Sequence, residues 1–367
     1  MSLRLFPIFW FILLILAACT PAKKPEPTLP QAEGSANPPV LPNLLLQVTG
    51  KIEVRRAGSA LFVPVALGAQ VQPGDTLRLV EGEAAIFCGN EALWDASPQS
   101  LPVDYDAGVP CQNGRPPRPA LDLVRLRSNN LYVLSPRSGF VMDERPTLRW
   151  HPVDNVQMYT LRLISDDEKE RPPVTVAGNE LPYPAEWEPL QAEVSYRLQI
   201  EMEVDGLKFD SGQEGEFLLL SPEKKEQLDA QVERLRQRSL HDLSLTLLLA
   251  ELHLNYNLYS EDIELLRKAD HNQVAVQHLL GETYLQMGLP DEATAAYSQA
   301  LALAQEAELP EEQAAAHLRL SLLFCSQANE QKADTHKQEA LRLYEQMERQ
   351  KNKVDALLEE VDGACQN

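Results

Sequence analysis

Positive charge is scarce in this sequence: 33 lysines and arginines stand against 54 aspartates and glutamates, a formal charge of −21 at pH 7. Such a chain is repelled at long range by a nucleic-acid backbone or an anionic lipid surface, which leaves a protein or a neutral molecule as its partner. Catalytic signatures are also missing. There is no GxSxG, no P-loop, no HExxH and no paired CxxC. Of the seven histidines, His241, His253, His271, His278 and His317 fall on helical stretches without a partner at metal-ligand spacing. The expectation is a protein that is not an enzyme and takes no cofactor or metal. Acidic runs such as "SDDEKE" read as solvated faces.

Long apolar runs are equally rare, and one stands out. Residues Leu5 to Ala18 are apolar throughout, after a single cation at Arg4. The run falls short of the roughly 20 residues a membrane-spanning helix requires, and it suits the apolar core of a secretion signal. Its end, Leu16-Ala17-Ala18-Cys19, resembles the lipobox of bacterial lipoproteins. The resemblance implies cleavage after residue 18 and lipidation of Cys19, so that acyl chains hold the protein on a membrane. The other reading is an uncleaved signal anchor in which Cys19 is incidental. Thr20 follows the cysteine where, by resemblance to Gram-negative lipoproteins, an aspartate would favour retention in the inner membrane. The expected address is therefore the cell envelope, lipid-anchored, on the outer membrane facing the periplasm. Residues 19–43, rich in proline and polar residues, read as an extended tether with a reach of roughly 70 Å.

Residues 44–130 alternate with period two and are broken by Gly, Pro and Asp, the pattern of a small β domain. The order "GKIEVRRAG…FVPVALGAQVQPGDTLRLVEGEAAIFC" resembles FecR-type domains, with Gly50, Pro64, Gly74 and Asp75 as the shared marks. Structural roles for these four are expected. Cys88 and Cys111 bracket an irregular insert, and in an exported chain the two are expected to be bridged. A bridge closing a loop of about 24 residues would stabilise by roughly 3 kcal/mol.

Residues 134–220 read as a sandwich built on aromatics, among them Trp150 and Tyr159. The spacing of Leu190 and Tyr196 resembles the tyrosine corner of fibronectin type III domains, although "QAE" replaces the usual Pro-Gly. After Ser221-Pro222-Glu223, a helix start, residues 221–361 are helical, with 362–367 as a tail. Gly281, Tyr284, Ala293 and Ala300 are matched by Ser321, Phe324, Ala333 and Ala340 at a constant spacing of about 40 residues, the mark of a solenoid. The pattern Leu280-Gly281, Tyr284, Ala293, Tyr297, Ala300 resembles the tetratricopeptide repeat, lengthened around "AQEAELPEEQA". Small residues sit where helices cross and aromatics fill the gaps beside them. Lys337 stands where the second repeat wants an aromatic. An earlier stretch, 248–269, has Asp262 where Ala293 stands and is either a degenerate repeat or one with a shifted turn, and "ERQKNKVDALLEEVD" reads as a solvated capping helix.

The expected fold is multidomain: an all-β N-terminal half, made of the FecR-like β domain and the β-sandwich, and an all-α tetratricopeptide-like C-terminal half. By resemblance, the first helix of each pair lines a groove for a protein or peptide partner in the envelope. That places His278, Glu282 and Leu285, then Leu318, Leu322 and Cys325, in the groove. The alternative packs these leucines against the sandwich and leaves no groove. Cys325 and Cys365 are either a core thiol and a free cysteine, or a bridge. The expected role is an interaction scaffold. A FecR-related signalling component and a cell-wall polymer binding protein are the alternatives.

Overall fold

Two glycines set the shape of the first sheet. β1 (Leu44–Arg55) and β3 (Thr76–Phe87) are long antiparallel neighbours that pair Gly50 with Gly82. Both glycines have positive φ, 94° and 88°. A β-carbon on Gly50 would lie 2.3 Å from the carbonyl oxygen of Glu81, so the strands bend where only glycine fits. The computed structural model describes residues 39–89, 93–96, 105–106, 131–156, 158–204, 207–210, 215–349, 354–355, 358–359, 361 and 363. All fall within one compact unit, Ser35–Asn367. The signal, Cys19, Cys111, Cys365 and most of the tether lie outside the described residues.

β2 (Val63–Pro64) joins β1, while β4 (Leu93–Ala96) and β5 (Tyr105–Asp106) join β3. The insert expected to be irregular thus returns twice to the sheet. One apolar cluster of this domain holds Leu45, Ile52, Val54, Val71, Leu77 and Ile86. Asp75 is buried and accepts from the amides of Gln72 (2.9 Å) and Ala57 (3.1 Å), which closes the turn that Gly74 opens at φ 86°. Cys88 is buried and disulfide-bonded, as is Cys325.

The sandwich follows. β6 (Val133–Ser135), β8 (Leu148–Trp150) and β11 (Glu180–Leu181) form one sheet. The other runs β10 (Val174–Ala177), β9 (Met158–Ser165), β12 (Ser195–Val204), β14 (Gly215–Leu219) and β7 (Gly139–Val141), with β13 (Leu207–Asp210) on β12. Every second residue of β9 is buried from Tyr159 to Ser165, because only one face meets the core. Trp150, Trp187, Tyr159 and Phe217 fill that core, and Trp150 meets Tyr159 edge-on at 5.5 Å. The Tyr196 hydroxyl accepts from the amide of Gln191 at 3.0 Å beside buried Leu190, which is the geometry of a tyrosine corner.

The helical half opens at α1 (Pro222–Arg236), whose Ser221 cap accepts from the amide of Lys224 at 3.4 Å. α2 (Asp242–Asn255) and α3 (Tyr259–Leu266) form the degenerate pair. α4 (Val274–Gln286), α5 (Pro290–Glu306), α6 (Pro310–Ser326) and α7 (Glu330–Gln346) complete the array. Gly288, Glu308, Ala328 and Glu348 each take a left-handed conformation, with φ between 51° and 66°. In each case the following amide reaches back to close a Schellman-type turn: Leu289 to Tyr284, Leu309 to Ala304, Asn329 to Phe324 and Arg349 to Tyr344, at 2.8–3.0 Å. The period seen in the sequence is therefore two like halves, each a helix and its turn.

Packing within the repeats follows the small residues. A β-carbon on Gly281 would meet the Tyr297 ring at 2.8 Å, so glycine is required where that ring lies flat on the helix. One repeat later Lys337 removes the ring, and Ser321 fits in place of the glycine. Its hydroxyl is fully buried and donates to the carbonyl of Ala333 at 2.7 Å. In the degenerate pair Asp262 is fully buried and accepts from the Thr283 hydroxyl at 2.5 Å, which ties α3 to α4. The region after α7 is not simply solvated, because Val354 and Val361 are buried in the cluster that the repeats share.

Candidate functional site

The inner face of the repeats is not open to solvent; the first β domain sits on it. The segment between β2 and β3 enters at Gly68, whose φ is +87°. A β-carbon there would lie 2.5 Å from Cβ of Ala275 on α4 and 3.3 Å from Leu247 on α2. Val63 and Leu67 pack on the repeat core. Ala66 packs against Val274, Ala300, Ala304 and Leu309.

Polar contacts fix this docking. The guanidinium of Arg56 donates to both carboxylate oxygens of Glu311 on α6 (3.0, 3.0 and 2.7 Å), to Asp75 (2.5 Å) and to the Gln70 carbonyl (2.7 Å). Burial opposes its charge, but Glu311 and Asp75 outweigh that and hold it protonated beyond the usual arginine range. Arg349 reaches Glu311 as well, at 3.3 Å. The Ser59 hydroxyl donates to the carbonyl of Met347 at 3.0 Å.

Three helices use the glutamate at their third position in the same way. Glu312 of α6 accepts from the amide of Ala66 at 3.0 Å, and Glu261 of α3 accepts from the amide of Met142 at 2.6 Å. Glu292 of α5 accepts from the Tyr132 hydroxyl. A glutamate at this place often turns back to cap its own helix. Here each one grips the β half. Burial pushes the carboxyls of Glu312 and Glu261 up to about 7, with the amide bonds pulling the other way. Arg137 adds a buried cation, donating to the carbonyls of Met287 (2.8 Å) and Val133 (3.1 Å). Arg149 pairs with Glu264 on α3.

A cavity of about 330 Å³ remains at this junction, bounded by residues 66–70 and 72 and by α2, α4 and α6. His278 and Glu282 both line it, so the structure brings these two expected residues together. Glu282 accepts from the Tyr297 hydroxyl at 3.2 Å and pairs with Arg319 at 3.5 Å. Burial lowers the His278 imidazole to about 4, so it is neutral near pH 7. Leu285, Leu318 and Leu322 are placed differently: all three are buried in the repeat core. The cluster that holds these leucines is also packed by partly buried residues of the β half, Val63 and Leu67 from the first β domain and Tyr132 and Leu134 from the second. Cys325, expected in the same groove or as a free core thiol, is instead buried and disulfide-bonded.

Sequence reading missed Arg56 and Glu312 altogether, since each looks like a charge in a solvated run. It also missed a histidine pair. His317 on α6 and His336 on α7 bring their Nδ1 atoms to 2.8 Å, with His336 stacked on Phe324. Among the described residues no group of three or more His, Cys, Asp or Glu could hold a metal ion. Also among them, no helix is long and apolar enough to cross a membrane.

Comparison with known proteins bears on the helical half. No curated protein matches the chain. Among solved structures, BtubC (BKLC) from P. vanneervenii is similar at 22% identity over 36% of this chain and 60% of that one, with a TM-score of 0.30. A beta-1,2-glucanase from Parabacteroides distasonis is similar at 8% identity over 84% of this chain and 49% of that one, with a TM-score of 0.23. The chain thus spans 60% and 49% of the length of these two proteins. Residues 272–346, which run from the start of α4 to the end of α7, match the tetratricopeptide repeat family.

Proposed function

We propose that this chain is a non-enzymatic interaction scaffold of the cell envelope, held on a membrane by lipid on Cys19, which binds a protein or peptide through its repeat half. The observation that carries the scaffold reading is the match of residues 272–346 to tetratricopeptide repeats, since arrays of this kind present extended surfaces to partners. The anchor rests on the sequence Leu16-Ala17-Ala18-Cys19 behind its apolar run. With the inner face covered by the β half, the surfaces left to a partner are the outer faces of α5 and α7 and the cavity at the junction.

Metabolic labelling with palmitate, in the wild type and in Cys19→Ala, tests the anchor. Label in the wild type alone is the expected result, and an unlabelled wild type ends the lipoprotein reading. Affinity capture from envelope extract with the full chain tests the scaffold, against a chain carrying charge reversals on the exposed face of α7. Recovery of the same proteins by both would remove the exposed face of α7 from the function, and the same reversals on α5 would then test the other helix face.

A further inference from the structure

Charge of both signs lines the junction cavity in near balance. Arg56, Arg319 and Arg349 are in its wall, and so are four glutamates. The arginines are matched within the wall itself: Arg56 binds Glu311, Arg349 pairs with Glu311 at 3.3 Å, and Arg319 pairs with Glu282 at 3.5 Å. An entering cation would meet the three guanidinium groups and an entering anion the four carboxyls, each after giving up its hydration. A neutral ligand is spared both penalties.

Hydrogen-bonding capacity is left over all the same. Tyr344 of α7 lines the cavity and is only 5% exposed. Its hydroxyl has no hydrogen-bond partner among the described residues, and it is not one of the buried atoms sealed from water. Such a group both donates and accepts. Arg349 lies just beyond, its amide held by the Tyr344 carbonyl at 3.0 Å. Glu311 already takes three bonds from Arg56, at 2.7–3.0 Å. Arg349 therefore comes second, with no side-chain hydrogen bond among the described residues and N–H donors to spare. The side chains of Arg349 and Arg319 are 21% and 29% exposed, which puts them at the mouth, with Tyr344 deeper. Leu67, Leu247, Val274 and Leu279 supply an apolar wall.

A group that satisfies both a hydroxyl and a donor-only guanidinium without adding charge is itself a hydroxyl. A peptide amide also donates and accepts, but on separate atoms and once per residue, whereas a polyol repeats both functions on adjacent carbons and offers C–H faces between them. We propose that this cavity binds a neutral polyol of monosaccharide size, its hydroxyls bonding to Tyr344 and Arg349 and a C–H face lying on the leucines and Val274. The volume, about 330 Å³, sits at the small end of ligand sites and admits one sugar ring. The sugar is either free or one unit of a longer glycan, and neither case rests on the scaffold reading above.

Saturation-transfer NMR on the purified full chain, titrated with glucose, N-acetylglucosamine and chitotetraose, tests this, with butyrate, n-butylamine and N-acetylalanine methylamide as controls. We expect at least one sugar to bind more tightly than all three controls, with affinity about fivefold lower in Tyr344→Phe, which removes one neutral hydrogen bond. The same variant should keep the wild-type thermal midpoint, because the hydroxyl it removes has no partner among the described residues, so the lost affinity is not a loss of fold. Tighter binding of chitotetraose than of N-acetylglucosamine assigns a glycan unit; the reverse, or binding of glucose alone, assigns a free sugar. No binding of any sugar, tighter binding of a control, or unchanged affinity in Tyr344→Phe overturns the proposal. The scaffold reading stands or falls by the capture experiment alone, whichever way the sugars behave.

Discussion

Gly68 and Ala275 touch across the seam between the two halves: a β-carbon at position 68 would fall 2.5 Å from that of Ala275. They lie on a β-domain loop and on α4, far apart in sequence, and their contact sets how closely the first β domain approaches the repeats. Gly68→Ala combines a left-handed backbone position with that overlap, so we expect a loss of about 2–4 kcal/mol. Chemical denaturation measures it. Faster amide exchange in 272–285 would place the damage at the seam, and an unchanged midpoint would show that the loop yields freely.

Glu261 and Glu312 make the seam sensitive to pH. Their carboxyls are raised from the ordinary 4.5 to about 7 in the folded chain, mainly by burial. The folded state therefore binds more protons than the unfolded state between those values. Their contribution is fully present below about 4.5 and is lost as pH rises toward and through 7. His278 and His253, lowered by burial from 6.5 to about 4, act in the opposite direction and weaken the fold as pH falls through 6.5. In Glu261→Gln/Glu312→Gln the loss on the alkaline side should disappear while the acid-side loss remains. Thermal midpoints from pH 4.5 to 8 give the comparison.

Two successive repeats offer a swap experiment. Gly281 faces Tyr297, while Ser321 has Lys337 at the corresponding place. Gly281→Ser alone should destabilise by about 1–3 kcal/mol through overpacking. Adding Tyr297→Lys should return part of that loss, because the ring that excludes the serine is gone. A double-mutant cycle reads the coupling, and strict additivity would refute the pairing.

Thr283 and Asp262 are buried together at 2.5 Å. Thr283→Val keeps the shape and removes the donor, leaving a buried carboxyl short of one partner. We expect a loss of about 1–3 kcal/mol, measured by urea denaturation, with little change in circular dichroism.

Cys88 is disulfide-bonded, and Cys111 is the expected partner. Peptide mapping without reductant should recover the two in one cross-linked fragment. Replacing both cysteines, Cys88→Ala/Cys111→Ala, should lower stability by roughly 3 kcal/mol, as for a loop of about 24 residues, while leaving the bridge at Cys325 intact.

The helical half was legible because its packing is local. A glycine, an aromatic and two alanines repeat at a fixed spacing, and each contact lies within one helix pair or its neighbour. Ser221, Trp150 and the Leu190–Tyr196 corner were legible for the same reason. β4 and β5 were not, since such short strands carry too few residues for an alternating pattern. The seam was hidden more deeply. Nothing near Leu318 or Leu322 in the sequence tells that a loop starting at Val63 covers the same core, and the glutamates of "LPEEQ" look like ordinary first-turn acids. Which surface a helix buries is local information; what lies on top of it is not.

The grip of Glu261, Glu292 and Glu312 on the β half has a consequence for modularity. By pattern the chain divides into three modules, yet the amides of Ala66 and Met142 find their acceptors on helices from a different module. Excising the repeats at Ser221 would bare apolar residues of α2 and α4 and strand three carboxyls. The fragment would be a new surface, prone to self-association. Shuffling one module into another chain would carry a docking face with no counterpart there, so the three parts are bound to be inherited, expressed and assayed together.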